Sequence, residues 1–157
     1  MMDIQPINVE LIPENSAKAL YPEPFASMVK SRRKRKLGDY FGLMNFGVNL
    51  TTLAPHSISA LKHHHSKQDE FIYIVCGTPT LIYGEKEILM SAGDCMGFKA
   101  NTGIAHQLIN RTAFEVSYLE VGDRTLDDAV AYPDDDLALI HEKDGSWSVL
   151  HKDGSAY

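Results

Sequence analysis

The sequence predicts an all-β fold, and three observations carry that prediction. Turn signals recur at short intervals, the apolar runs between them are short, and those runs are rich in Val, Ile, Tyr and Phe. Short strands of even spacing hide their edges by closing into a jelly roll or barrel. Residues 46–53 alternate apolar and polar and are stopped by Pro55. The next strand is expected over 59–65. Residues 71–75 (Phe-Ile-Tyr-Ile-Val) are apolar on both faces, as a strand between two layers would be, and Gly77-Thr78-Pro79 ends them. Residues 80–90 read as a hairpin turning at Gly84-Glu85, and Gly93-Asp94 makes the following turn. Two more strands are expected at 106–109 and 114–121, joined by Asn110-Arg111-Thr112 with Asn110 capping the turn. Asp144-Gly145 and Asp153-Gly154 are turn signals, so 137–149 is expected to form a hairpin outside the barrel. Only 14–20 and 125–132 carry a helical pattern.

A chain of 157 residues fits one domain with one core. The expected organisation is a barrel over 46–121 with an N-terminal extension over 1–45 and a C-terminal extension over 122–157. Hydrophobic residues make up 44% and charged residues 23%, which removes any compositional case for disorder. No apolar run approaches membrane-spanning length, and the N-terminus lacks a basic region followed by an apolar one, so a cytoplasmic protein with no membrane partner is expected. Cys76 and Cys95 are too few for a disulfide scaffold and read as buried thiols, with a place for Cys76 near the cavity as the second reading. The formal net charge is −6, yet six of the 15 basic residues crowd into positions 30–36. Without interleaved aromatics, and set between Pro24 and Gly38, that run reads as a solvated loop rather than a nucleic-acid site. A subunit contact or a lid over an anionic ligand is its expected functional use.

The chemistry concentrates in His63-His64-His65-Ser66-Lys67-Gln68-Asp69-Glu70, answered by His106. Residues two apart on a strand point the same way, so His63 and His65 present two imidazoles to one ion while His64 faces the other side. A turn through 66–69 brings the Glu70 carboxylate back to that ion, and His106 supplies a third imidazole. Three neutral imidazoles and one carboxylate suit one divalent transition metal, Fe, Mn, Ni, Co or Zn, with up to two positions open for substrate or dioxygen. By strand parity Ile72, Ile74 and Leu108 should line the pocket beside it. Lys62, Lys99 and Arg111 flank the ligand segments and are candidate anion-binding groups. His56, His141 and His151 read as solvated, and Tyr40, Phe41, Tyr73 and Tyr118 as core or interface.

These residues resemble the two motifs of the cupin superfamily. His63, His65, Glu70 and Gly77 match the first, and Gly93, Gly103, His106 and Asn110 match the second. Ser57 stands where the first motif opens with Gly, Asn101 where the second has Pro, and two extra residues separate Gly93 from Asn101. The matched span is about a third of the chain. The resemblance implies a double-stranded β-helix of the small bacterial monocupin type, a group described as uncharacterised cupins or sugar-phosphate isomerase-like proteins. It also implies a metalloenzyme acting on a small oxygen-rich metabolite, by dioxygenation or sugar-phosphate isomerisation, and pairing as a homodimer. The alternative is a non-catalytic module that binds or senses a small ligand. No residue of the sequence stands out as the catalytic base.

Overall fold

The computed structural model describes residues 5–15 and 20–157. After β1 (Glu14–Asn15) and β2 (Arg32–Lys36) come β3 (Phe46–Leu53), β4 (His64–His65) and β5 (Glu70–Cys76). The hairpin β6 (Thr80–Tyr83) and β7 (Lys86–Leu89) follows, then β8 (Cys95–Phe98), β9 (His106–Ile109) and β10 (Val116–Asp123). The chain ends in β11 (Asp128–Ala131), β12 (Ala138–His141) and β13 (Trp147–Leu150). A six-stranded sheet in the order β1-β2-β3-β10-β5-β8 is joined by a three-stranded sheet, β7-β6-β9, and a four-stranded one, β13-β12-β11-β4. Every pairing is antiparallel. The whole is the jelly roll of a double-stranded β-helix.

The inner faces meet over Leu53, Ile74, Leu81, Leu108, Val116 and Tyr118, which come from both the six-stranded and the three-stranded sheet. Strand alternation delivers them, since Ile72 and Ile74 of β5 face in while Phe71, Tyr73 and Val75 face out. A second cluster, Leu61, Val130, Tyr132, Leu137 and Leu139, fills the space under the four-stranded sheet. Asn110 does more than cap a turn. Its buried amide donates to the carbonyls of Leu53, Ala54 and Phe114, and its carbonyl oxygen accepts from the backbone and hydroxyl of Thr112. It thereby joins the end of β9 to the ends of β3 and β10. Gly77, at φ +87°, closes β5 where a Cβ would come within 2.8 Å of Val116, so only glycine fits.

Several sequence expectations are corrected. The basic run is not a solvated loop, because β2 is an internal strand between β1 and β3 in which Arg33, Lys34, Arg35 and Lys36 each meet a carboxylate. Residues 125–132 hold β11 rather than a helix, and Glu14 and Asn15 pair with Arg35 and Lys34 as a strand; residues 16–19 of that expected helix lie outside the described residues. The strand expected over 59–65 is reduced to β4 and two isolated bridges, Ile58 to Ile109 and His63 to His106. Cys76 and Cys95 are exposed, Cys76 on the outer face beside Arg33 and Arg35 and so away from the cavity. His141 is buried, stacked on Trp147 at 4.6 Å and 8°, not solvated. Residues 71–75 are covered on one face only, with Phe71, Tyr73 and Val75 each more than 40% exposed.

Candidate metal centre

The cross-strand register sets the site out in rows. Gly47, Gly122, Glu70 and Phe98 form one inward row across β3, β10, β5 and β8, and Asn49, Glu120, Ile72 and Met96 form the next. Across from them the His63–His106 bridge and the pairing of β4 with β11 place three imidazoles over Glu70. The Nε2 atoms of His106, His65 and His63 lie 3.0, 3.4 and 3.6 Å from Glu70 Oε2. Ligand atoms of His63, Glu70 and His106 are all within 4.8 Å of one another.

The imidazoles are oriented from behind. His63 Nδ1 donates to the Leu61 carbonyl at 2.7 Å, and His65 Nδ1 donates to Asp128 Oδ2 at 2.6 Å. Both acceptors can only accept, so the proton is fixed on Nδ1 and the Nε2 lone pair is left facing Glu70. His106 is held flat against Phe98, with ring centres 3.8 Å apart and planes 3° from parallel. Glu70 Oε2 is buried without a hydrogen bond. A carboxylate oxygen ringed by three imidazole nitrogens, two of them with their protons fixed on Nδ1, is a cluster richer in lone pairs than in protons, which is the donor set a cation requires. The residues fit a divalent transition metal.

Electrostatics agree with that reading. Burial alone would raise the Glu70 pKa, but the facing His106 and His63 hold it well below the usual carboxylate range. Burial pushes His106 down, past the opposing pull of Glu70. For His65 burial also acts downward, but the Asp128 hydrogen bond and the Glu70 charge outweigh it and leave the pKa raised. The sign follows. A metal needs His65 neutral, so protons compete for it at pH values still above its ordinary value of about 6.5. The metal-free protein gains from protonated His65 below that value and loses the gain as pH rises through the raised pKa. The increase in melting temperature on adding metal is therefore expected to grow steadily from pH 5.5 to pH 8, as read by thermal denaturation with and without metal; an increment independent of pH would contradict an imidazole site.

Beside these four residues lies a cavity of about 200 Å³. Ile72 and Leu108 line it, as their parity predicts, whereas Ile74 lies fully buried in the core and does not. Of the expected anion-binding groups, none lines the cavity. Lys62 is 3.6 Å from both Glu85 and Asp134, Arg111 is clamped to Glu87 by two 2.7 Å bonds, and Lys99 is exposed beside a small crevice bordered by His64 and His65. The cavity's cations are Arg32 and Lys34 from β2. Lys34 is in close contact with Glu120, which Asn49 Nδ2 also holds at 3.0 Å; Glu120's pKa would rise on burial but is lowered by Lys34. Tyr21, Ser59, Tyr118 and Glu120 complete the polar part of the lining. Strand parity would have selected Arg32 and Lys34 had the run 30–36 been read as a strand. Nothing local marks Asp128, which lies 63 positions from its partner His65.

Residues 49–122 match the model of the cupin domain. No curated protein matches the chain. Among solved structures, a sugar phosphate isomerase from a cupin superfamily of Silicibacter pomeroyi is 33% identical with a TM-score of 0.91, the match covering 98% of this chain and 96% of that one. A candidate sugar phosphate isomerase from Acidithiobacillus ferrooxidans is 27% identical with a TM-score of 0.72 over 80% of each chain. The polyketide cyclase RemF from Streptomyces resistomycificus, 15% identical with a TM-score of 0.61 over 76% of this chain and 79% of that one, shares the fold alone. With both motifs in place, the jelly roll closed and a near full-length relative above 30% identity, the chain belongs to the cupin superfamily.

Proposed function

We propose that this protein is a metal-dependent enzyme acting on a small oxygen-rich metabolite, of the sugar-phosphate isomerase type. The observation that carries the reading is the convergence of His63, His65 and His106 on an otherwise unsatisfied Glu70 oxygen at the wall of a cavity. His63, His65, Glu70 and His106 would hold one divalent ion, and a bound ion would polarise a carbonyl or hydroxyl oxygen of the substrate. Ile72, Leu81 and Leu108 keep the surroundings dry and so strengthen every charge effect at that point. Glu120, ionised and on the row next to Glu70, is the carboxylate placed to exchange a proton with a bound substrate. The likeness to a near full-length structure described as a sugar phosphate isomerase favours isomerisation over oxygenation.

The test is elemental analysis of protein purified without a His tag, followed by incubation of each metal-loaded form with aldose and ketose phosphates. Interconversion supports the proposal. Dioxygen uptake with no interconversion would move the reading to an oxygenase, and metal binding with neither would leave the non-catalytic binding module. We also propose a homodimer, supported by the apolar outer face of β5, where Phe71, Tyr73 and Val75 are exposed. A monomer by light scattering at micromolar concentration would remove that part.

A further inference from the structure

The cavity's charges do not balance once a cation is bound. Its charged lining is Arg32 and Lys34 against Glu70 and Glu120. Lys34 is consumed by Glu120, and Glu70 belongs to the metal ligands. A divalent ion would therefore leave the lining two positive charges in excess, one of them on the Arg32 guanidinium. Among the described residues no carboxylate pairs with Arg32, whose recorded hydrogen bond is to the Ser59 carbonyl. The contrast with its neighbours is direct, since Arg33 pairs with Glu14 and Glu115, and Arg35 with Glu10. Holding a half-buried guanidinium with no carboxylate in contact, and with Glu120 already paired to Lys34, is costly, and the cost falls when a ligand brings a second counter-charge.

The geometry points to Arg32 as the group that binds a dianionic phosphoryl group on the ligand, in the cavity that the metal residues border. Arg32 faces Leu53 across the sheet and Glu70 lies in the row of Gly47, so the two are separated by six residues of β3. The ligand thus carries its anion and its reacting oxygen within the length of one small cavity. Arg32 also borders a second opening with Tyr21, His63 and Tyr132. The Tyr132 hydroxyl donates to that of Tyr21, and burial raises the pKa of both, so they stay protonated and Tyr21 keeps its own O–H to donate near the guanidinium. A planar guanidinium with a hydroxyl donor beside it matches a phosphoryl group in both charge and hydrogen-bond geometry. This inference rests on the proposed metal-dependent reading, which it deepens by naming the ligand's charged end.

The test is calorimetric titration of the full-length metal-loaded protein with inorganic phosphate and with glycerol 3-phosphate, set beside glycerol and acetate. Arg32→Gln is expected to weaken binding of both phosphates at least about tenfold, with metal content unchanged. Arg33→Gln, on the outer face of the same strand, is expected to bind both as the wild type does. Arg32→Lys keeps the charge and should lose less than Arg32→Gln, which supplies the comparison if the glutamine variant folds poorly. Failure of the wild type to bind either phosphate, acetate bound as tightly as phosphate, or equal affinity in wild type and Arg32→Gln would each overturn the inference. Phosphate held through Arg32 without sugar-phosphate turnover would sink the isomerase reading and leave this one standing; turnover unaffected by Arg32→Gln would do the reverse.

Discussion

His106→Ala is expected to weaken binding of a divalent transition metal by more than about a hundredfold, since loss of a mere supporting partner of a ligand already costs about ten- to a hundredfold. His106 makes the shortest approach to Glu70 of the three imidazoles and is the one clamped on Phe98. The fold should survive, because His106 meets the core cluster through the Phe98 ring, and the remainder, Leu53, Ile74 and Val116 among it, is apolar packing that needs no ion. Metal titration followed by calorimetry, with circular dichroism as the check on folding, reads both effects. His151→Ala serves as the control, since His151 is bonded to Asp136 and stacked on Tyr157 near the C-terminus. Stoichiometric metal in His106→Ala would remove His106 from the ligand set, and unfolding of the metal-free variant would show the residue to be structural.

The second large effect belongs to Asp128. This fully buried carboxylate accepts from His65 Nδ1 at 2.6 Å, from the Lys67 and Gln68 backbone at 2.7 and 3.2 Å, and from the Ser66 hydroxyl at 3.2 Å. Burial would raise its pKa, but the His65 hydrogen bond and the backbone N–H groups bring it below the ordinary carboxylate value. Its stabilising contribution is thus present above that value and lost as pH falls through the lowered one. Asp128→Ala strands two backbone donors and frees the His65 ring, so about 3 kcal/mol of stability should go, or roughly 10 °C in melting temperature for a chain of this size. Asp128→Asn separates the two roles. The amide oxygen can still accept from the backbone, but its NH2 group faces His65 Nδ1, and two donors cannot meet. The imidazole proton must move to Nε2, which removes the lone pair aimed at Glu70. A smaller stability loss than in the alanine variant, with metal affinity reduced about ten- to a hundredfold, is the expected pattern. Wild-type metal affinity in Asp128→Asn would show that His65 is not held in this tautomer.

Much of the barrel was legible because its strands obey the rules that sequence reading uses. β3, the β6–β7 hairpin, β9 and β10 alternate or are bounded by Gly, Pro and Asn, and they fall within two residues of where they are expected. The strand β2 was hidden for a physical reason. Arg-Arg-Lys-Arg-Lys has no apolar side to reveal a buried face, and its partners lie far off in sequence: Glu120 for Lys34, Glu115 for Arg33, Glu10 for Arg35. Charge that is compensated only after folding reads as charge that must be solvated. β11 was missed likewise, because Asp128 occupies an inward position that hydrophobic patterning assigns to an apolar residue. The spacing of His63, His65 and Glu70 is legible because it depends on strand parity and one turn, both local, whereas His106 reaches them through its bridge to His63 and is marked by its motif.

The pairing of β4 with β11 ties the site to a strand that follows both motifs. His64 and His65 pair with Ala131 and Val130, and the carboxylate that orients His65 enters three positions earlier in that strand. A nascent chain that has emerged as far as Asn110 already holds every expected ligand and both motifs, yet has no β11 to align β4 against. Contacts spanning some sixty residues form late, after their loop-closure entropy is met. His65 is therefore oriented only once β11 has paired with β4, so the geometry of the site depends on a strand that lies beyond both motifs.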